Sequence, residues 1–88
     1  MDIEKSAEWY DQRQSGLGVK FVRAIRLTIG RLLNNPLMYR VRSRRFRVRW
    51  CLPARFPYRI VYRVDGEMVT IVAVLHSMRH DHEWRKRV

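Results

Sequence analysis

Arginine is the residue type that gives the strongest indication of chemistry in this sequence. Of the 88 residues, 16 are Arg and 3 are Lys, against 8 acidic residues, so the formal net charge is +11. A guanidinium is planar, presents five donors and grips carboxylates and phosphates through paired hydrogen bonds. The sequence therefore predicts an anionic partner: an acidic protein, a nucleic acid, or both. A charged surface without a specific partner is the simpler alternative.

The basic residues are concentrated in the second half of the chain. Residues 41–88 contain 12 basic and 4 acidic side chains, a net charge of +8. Residues 45–50 and 55–64 alternate between two side-chain classes, which predicts β-strands with two different faces. We expect one face to carry a row of basic side chains with His76 at its end. The predicted row consists of Arg45, Arg47, Arg49, Arg55, Arg59 and Arg63.

Other reactive residue types give weaker signals. Cys51 is the single cysteine, so an internal disulfide is excluded and a reducing cytoplasm is the simplest compartment. No base signature lies near it, which disfavours a catalytic thiol. His76, His80 and His82 lie near Asp81, but no helix or strand period brings the three histidines together. The sequence predicts no metal site and no cofactor.

The first forty residues are predicted to form two helices. Asp2 can cap a helix whose apolar stripe includes Ile3, Ala7 and Tyr10. Gly16-Leu17-Gly18 is typical of a tight connection, and a second helix is predicted over Leu17–Asn34. Its buried face consists of Phe21, Ile25, Thr28, Ile29 and Leu32. Asn35-Pro36 ends it, which makes the pair a helical hairpin.

The rest of the chain predicts a three-stranded antiparallel meander. Asp65-Gly66 is a strong hairpin signal. If these two residues form the turn, Val64 pairs with Glu67 and His76 with Arg55. The helix-facing side is then predicted to consist of Phe56, Tyr58, Ile60, Tyr62, Val69, Ile71, Ala73 and Leu75. Trp9 and Tyr10 are expected in the same core. The fold class is α+β, a single domain over 1–88 with the helical hairpin packed on one sheet face.

An ordered series of short motifs resembles a known family. The series runs from Trp9-Tyr10 through Gly16-Leu17-Gly18, Asn35-Pro36 and Phe56-Pro57-Tyr58 to Ala73-Val74-Leu75-His76, with Arg79 and Trp84 after it. It resembles the RelE/ParE superfamily of toxins from bacterial type II toxin–antitoxin modules, most closely its ParE-like branch. The resemblance implies a helical hairpin on a curved antiparallel sheet. It also implies an acidic antitoxin that wraps the basic toxin and silences it.

The resemblance carries one departure. Family members usually begin with a β-strand before the first helix, and only Met1 precedes Asp2 here. Either the start codon is misassigned, the chain has been trimmed, or the sheet lacks this strand and has an open edge, which is a template for strand pairing. A homodimer and a heterotetramer with the antitoxin both remain open.

Members of the superfamily act on two different targets, and each target gives one hypothesis for the function of this chain. ParE-like members are understood as gyrase poisons that bind without hydrolysis, and this hypothesis is preferred. The residues predicted to bind the target or partner are Arg45, Arg47, Arg49, Arg59, Arg63, Arg79 and Trp84. RelE-like members resemble ribosome-dependent mRNA endonucleases. In that alternative His76 transfers protons, and Arg55, Arg59 and Arg79 stabilise the phosphate.

A third hypothesis is a non-enzymatic nucleic-acid-binding module. A row of arginines on phosphates would give a steep salt dependence, although no RNP, zinc-finger or helix-turn-helix pattern supports this hypothesis. The sequence contains no run of apolar residues long enough to predict a transmembrane helix. No membrane partner is therefore expected.

Overall fold

Two helices open the fold and form the predicted hairpin. A computed structural model describes residues 3–77 and 82–86, with the backbone alone for 82 and 83. The first helix, α1, spans Ile3–Arg13, and the second, α2, spans Leu17–Asn34. The bounds predicted for α2 are confirmed. In the part of the chain described, no helix is long and apolar enough to cross a bilayer.

The two glycines of the connection, Gly16 and Gly18, are needed for different physical reasons. Gly16 has a φ of 86°, a left-handed conformation that glycine adopts without steric cost. Gly18 has no left-handed φ but lies against α1, where its amide donates a 2.7 Å hydrogen bond to Asp11 Oδ1. A Cβ at position 18 would lie 2.4 Å from the backbone oxygen of Ala7. The missing side chain is what lets the two helices approach.

Four antiparallel strands follow α2. They are β1 (Val41–Ser43), β2 (Val48–Cys51), β3 (Tyr58–Asp65) and β4 (Met68–His76), hydrogen-bonded in the order β1-β2-β3-β4. A short helix, α3, spans His82–Arg85. The α+β class is confirmed, with a fourth strand added to the predicted three.

The first predicted strand is divided in two. Residues 44–47 form a turn between β1 and β2, and Arg47 in it has a φ of 56°. The prediction of one strand over 45–50 is therefore wrong for its first half. Alternating Arg and apolar residues fit an exposed turn as well as a strand, because Arg stays solvated in both.

The register of the β3–β4 hairpin also differs from the prediction. Asp65 pairs with Met68, and Val64 pairs with Val69 instead of Glu67. A two-residue slip of this kind leaves every side chain on its predicted face. Farther along, Tyr62 pairs with Ile71 but Val61 pairs with Ala73, so β4 contains one extra residue.

This bulge reverses the faces of the last part of β4. Val69 and Ile71 pack against the helix-side core as predicted, whereas Ala73 and Leu75 belong to the opposite face. His76 pairs with Tyr58, so its predicted place opposite Arg55 is wrong.

The main core lies between the helices and the sheet. The predicted helix-facing aromatic residues Phe56, Tyr58 and Tyr62 all lie in it, together with Phe21 of α2. The Tyr62 hydroxyl donates a 2.7 Å hydrogen bond to the carbonyl of Pro36, which ties β3 to the segment after α2. Trp9 was expected here, but it is 48% exposed.

A second, smaller core covers the outer face of the sheet. Its buried members are Val48, Val61, Ala73, Leu75 and Trp84, with Phe46, Trp50 and Val72 packed against them. The Trp84 side chain, carried by α3, is 1% exposed. The outer face is thus occupied by apolar side chains where the sequence predicted a solvated arginine row.

Candidate functional site

The six arginines of the predicted row occupy four different places. Arg59 and Arg63 lie on the outer face, where their strand partners are Leu75 and Val48. Arg45 and Arg47 lie in the turn at 44–47. The prediction of a single row is wrong, because only two of its members share the outer face of a strand.

Arg49 lies on the helix side of the sheet. It pairs with Tyr62, and its Nη1 donates hydrogen bonds to the backbone carbonyls of Tyr39 and, at 3.5 Å, Leu37. The alternation in β2 separated Arg49 from Trp50 correctly but could not say which of them faces outward. Arg55 lies in the loop before β3, with a φ of 73°. Arg79 lies outside the described residues.

A cluster of rings and guanidinium groups covers the outer face. We call it the aromatic–arginine cluster, and it consists of Phe46, Trp50, Trp84, Arg42, Arg45, Arg59 and Arg85. The guanidinium carbons of Arg42 and Arg59 lie 5.3 and 4.9 Å from the centroid of the Trp50 ring. Each such contact contributes about 0.5–2 kcal/mol, depending on how far it is desolvated.

The same arrangement continues over the other two rings. Arg45 lies 5.2 Å from the Phe46 centroid, and Arg85 lies 5.6 Å from Phe46 and 5.5 Å from Trp84. Phe46 meets Trp84 edge to face, with centroids 5.5 Å apart. Sequence reasoning missed Arg42 and Arg85. The signal available for Arg85 was its position directly after a tryptophan.

Arg47 and Arg63, on the outer surface, share one carboxylate partner among the residues described. Arg47 Nη2 lies 3.0 Å from Asp65 Oδ1, and Arg63 Nη2 lies 3.6 Å from the same atom. Arg47 and Asp65 are both exposed, so solvent screening limits the contribution of their pair to under about 1 kcal/mol. The shared carboxylate partly neutralises this corner of the sheet.

A large open groove lies on the helix side, between the helical hairpin and the start of β3. Its volume is about 1270 Å³, and we call it the helix-side groove. Apolar side chains contribute to its lining, among them Trp9 and Leu27, which are 48% and 56% exposed. Its basic lining residues are Lys5, Lys20, Arg23, Arg31 and Arg55. No Asp or Glu lines it among the residues described, so the charged side chains that line the groove are all basic.

His76 lies in this groove and not on the outer face. Its ring packs edge to face against Tyr58, with centroids 5.3 Å apart. Arg55 lines the same groove, whereas Arg59 lies across the sheet over Trp50. Of the residues suggested for phosphate chemistry, His76 and Arg55 line the same groove, Arg59 lies on the other side of the sheet, and Arg79 lies outside the described residues.

The buried ionisable groups offer no activated nucleophile. Cys51 is 2% exposed, and burial raises the pKa of its thiol to about 11. Burial also raises the pKa of Tyr62 and, together with the nearby Tyr58, that of Tyr10. A thiol that stays protonated at neutral pH is inert as a nucleophile. No group of side chains in the described ranges could hold a metal ion.

Comparison with known proteins identifies the family. No curated protein and no solved structure matches the chain. The family model described as the ParE toxin of the type II toxin-antitoxin system, parDE, matches residues 1–80 of the 88. This match spans the helical hairpin, all four strands, the groove and most of the aromatic–arginine cluster. The chain belongs to the ParE family of toxins of type II toxin–antitoxin systems, and membership of this family implies an antitoxin as its partner.

Proposed function

We propose that this toxin inhibits growth by binding DNA gyrase, and that an acidic antitoxin neutralises it. The observation that carries the choice of a binder over a nuclease is the separation of His76 from Arg59 by the sheet. A ribonuclease needs a base, an acid and a cation around one phosphate. Binding needs only a shaped basic surface, which the outer face of the sheet offers.

The helix-side groove supports the antitoxin part of the proposal. An acidic amphipathic segment would place its apolar side on Trp9 and Leu27 and its carboxylates toward Lys20, Arg23 and Arg31. Charge complementarity of this kind raises the association rate and excludes partners of the wrong sign. The target would then meet the opposite, outer surface, which contains Arg45, Arg59 and Arg63.

A supercoiling assay tests the gyrase part directly. Purified toxin is added to gyrase, ATP and relaxed plasmid, and we expect supercoiling to fall with toxin concentration. Unchanged supercoiling by correctly folded toxin would reject the proposal. Primer extension on translated message tests the endonuclease alternative, and cuts that disappear in a His76→Ala variant would establish it.

Charge reversal tests the groove. The double variant Lys20→Glu/Arg31→Glu should slow association with the antitoxin encoded beside the toxin gene, measured by surface plasmon resonance. Arg26→Glu/Arg40→Glu is the matched control, because it changes the net charge by the same amount and both arginines are exposed without lining the groove. Equal rates for the double variant and the control would remove the groove from the proposal.

A further inference from the structure

The guanidinium groups of the aromatic–arginine cluster are held in place by rings. Four of them lie 4.9–5.6 Å from ring centroids of Phe46, Trp50 or Trp84. A ring occupies one side of a guanidinium group, which carries five N–H donors. The exposed Arg42, Arg45 and Arg85 therefore keep donors for an acceptor from outside the cluster.

The acidic side chains that the structure describes do not supply an acceptor to the exposed arginines of the cluster. Asp65 forms its ion pairs with Arg47 and Arg63, at the neighbouring corner of the sheet. Among the side chains that the structure describes, no carboxylate forms an ion pair with Arg42, Arg45 or Arg85, and all three are exposed. The cluster is therefore a preorganised concentration of positive charge.

The burial of the rings decides what kind of anion fits. Trp84 is 1% exposed, and Phe46 and Trp50 are half-buried beneath guanidinium groups. The cluster consequently offers little ring surface for an apolar side chain to cover or for a base to stack on. The helix-side groove is the reverse case, with Trp9 and Leu27 open to a partner. An acidic protein segment suits the groove, whereas the cluster suits a ligand that presents charge alone and at regular intervals.

A nucleic-acid backbone is such a ligand. We infer that the aromatic–arginine cluster binds the phosphate backbone of duplex DNA, so that the toxin contacts the DNA which gyrase holds. This inference rests on the proposed gyrase target for its setting, but the binding itself is a property of the toxin alone. Because the rings are covered, the contacts are to phosphates and the binding is independent of base sequence.

Salt dependence measures the number of phosphates contacted. Each phosphate neutralised on duplex DNA contributes about −0.9 to the slope of log K against log salt, so the three exposed arginines, Arg42, Arg45 and Arg85, give about −2.7. We would measure binding of a fluorescent mixed-sequence duplex by anisotropy at several KCl concentrations. The triple variant Arg42→Gln/Arg45→Gln/Arg85→Gln should lower the magnitude of the slope by about 2.7, because it removes the three exposed guanidinium groups of the cluster.

A matched variant separates the cluster from overall charge. Arg13→Gln/Arg23→Gln/Arg26→Gln removes the same charge from the helical hairpin, and it includes Arg13, which lies 4.1 Å from the Trp9 ring centroid. This control should keep the wild-type slope. Should the triple cluster variant fail to fold by circular dichroism, Arg85→Gln alone should lower the magnitude of the slope by about 0.9.

Several results would overturn the inference. The first two are a cluster variant with the wild-type slope, and a control variant whose slope falls as much as that of the cluster variant. The other two are tighter binding of single-stranded RNA than of duplex DNA, and competition by polyglutamate as strong as competition by DNA. The supercoiling assay separates the two proposals. Toxin that binds DNA through the cluster without inhibiting gyrase refutes the gyrase target alone. If the wild-type toxin inhibits gyrase and the cluster variant binds DNA as the wild type does, the cluster assignment is refuted and the gyrase target stands.

Discussion

Replacing Gly18 with Ala should destabilise the toxin, whereas the same replacement at Gly30 of the same helix should stabilise it. A Cβ at position 18 would lie 2.4 Å from the Ala7 oxygen and 2.8 Å from Asp11 Cγ. Because the Ala7 oxygen is backbone of α1, the two helices must move apart, and overpacking of this kind costs about 1–3 kcal/mol. Separation also weakens the 2.7 Å hydrogen bond between the Gly18 amide and Asp11, which adds to the cost.

Gly30 is the matched control. Among the described residues no atom lies within 4 Å of the position that its Cβ would occupy, and Gly30 is exposed in the interior of α2. Ala is favoured over Gly in a helix interior by about 0.8–1.0 kcal/mol. The same chemical change should therefore alter the free energy of unfolding in opposite directions at two positions of one helix.

Thermal unfolding followed by circular dichroism measures both variants. In a domain of this size, each kcal/mol shifts Tm by about 4–8 °C. We expect Gly18→Ala to lower Tm by at least about 4 °C and Gly30→Ala to raise it by about 4 °C. A Gly18→Ala protein as stable as the wild type would refute the close approach of α1 and α2 at this residue.

Three further predictions concern the two cores. Trp84→Ala should cost about 3–5 kcal/mol in urea unfolding, far more than Trp9→Ala, because only Trp84 is fully buried; similar losses would contradict the second core. Tyr62→Phe removes the hydrogen bond to the Pro36 carbonyl and should cost about 1–3 kcal/mol, and no loss would place that carbonyl in water. Burial raises the pKa of the Cys51 thiol to about 11 in the folded chain, whereas its pKa in the unfolded chain is about 8.5. Its contribution to stability is therefore complete below pH 8.5 and is lost as pH rises toward 11. Cys51→Ala should flatten this alkaline decline, and an unchanged pH profile would argue against burial of the thiol.

The helices were predictable because their signals are local. Apolar residues at helical spacing identify the buried face of α2, and the residues at its two ends fix its length. Gly16 and Pro36 act on their own neighbours, whatever the rest of the chain does. The predicted bounds of α2 therefore agree with the structure to the residue.

The faces of the sheet were not predictable in the same way. Nearly every residue of β4 is apolar, so an extra residue near Val72 leaves no mark in the pattern, yet it reverses Ala73, Leu75 and His76. In β2 the alternation separates Val48 and Trp50 from Arg49 but contains no information on which set faces the helices. That choice depends on Trp84, more than thirty residues later, which supplies an apolar cover for the outer face.

The chemistry of the candidate site could be predicted from the sequence, but the position of each arginine in the fold could not. An excess of Arg is enough by itself to indicate an anionic partner. Whether a given arginine lies over a ring, beside Asp65 or in the groove depends on tertiary contacts. Trp9 illustrates the limit, because its position on the apolar stripe of α1 predicts burial. In the structure it is about half exposed, and the guanidinium of Arg13 lies over its ring.

The short helix that carries Trp84 has a consequence for how the toxin is made. Four residues are too few to form a stable helix in water, so α3 is ordered by the sheet that it covers. Trp84 follows all four strands in the chain, so a growing polypeptide displays Val61, Ala73 and Leu75 uncovered until residue 84 has emerged from the ribosome. During that interval the nascent toxin is prone to aggregation and accessible to proteases. Premature termination before residue 84 should therefore yield products that the cell degrades instead of shortened poisons.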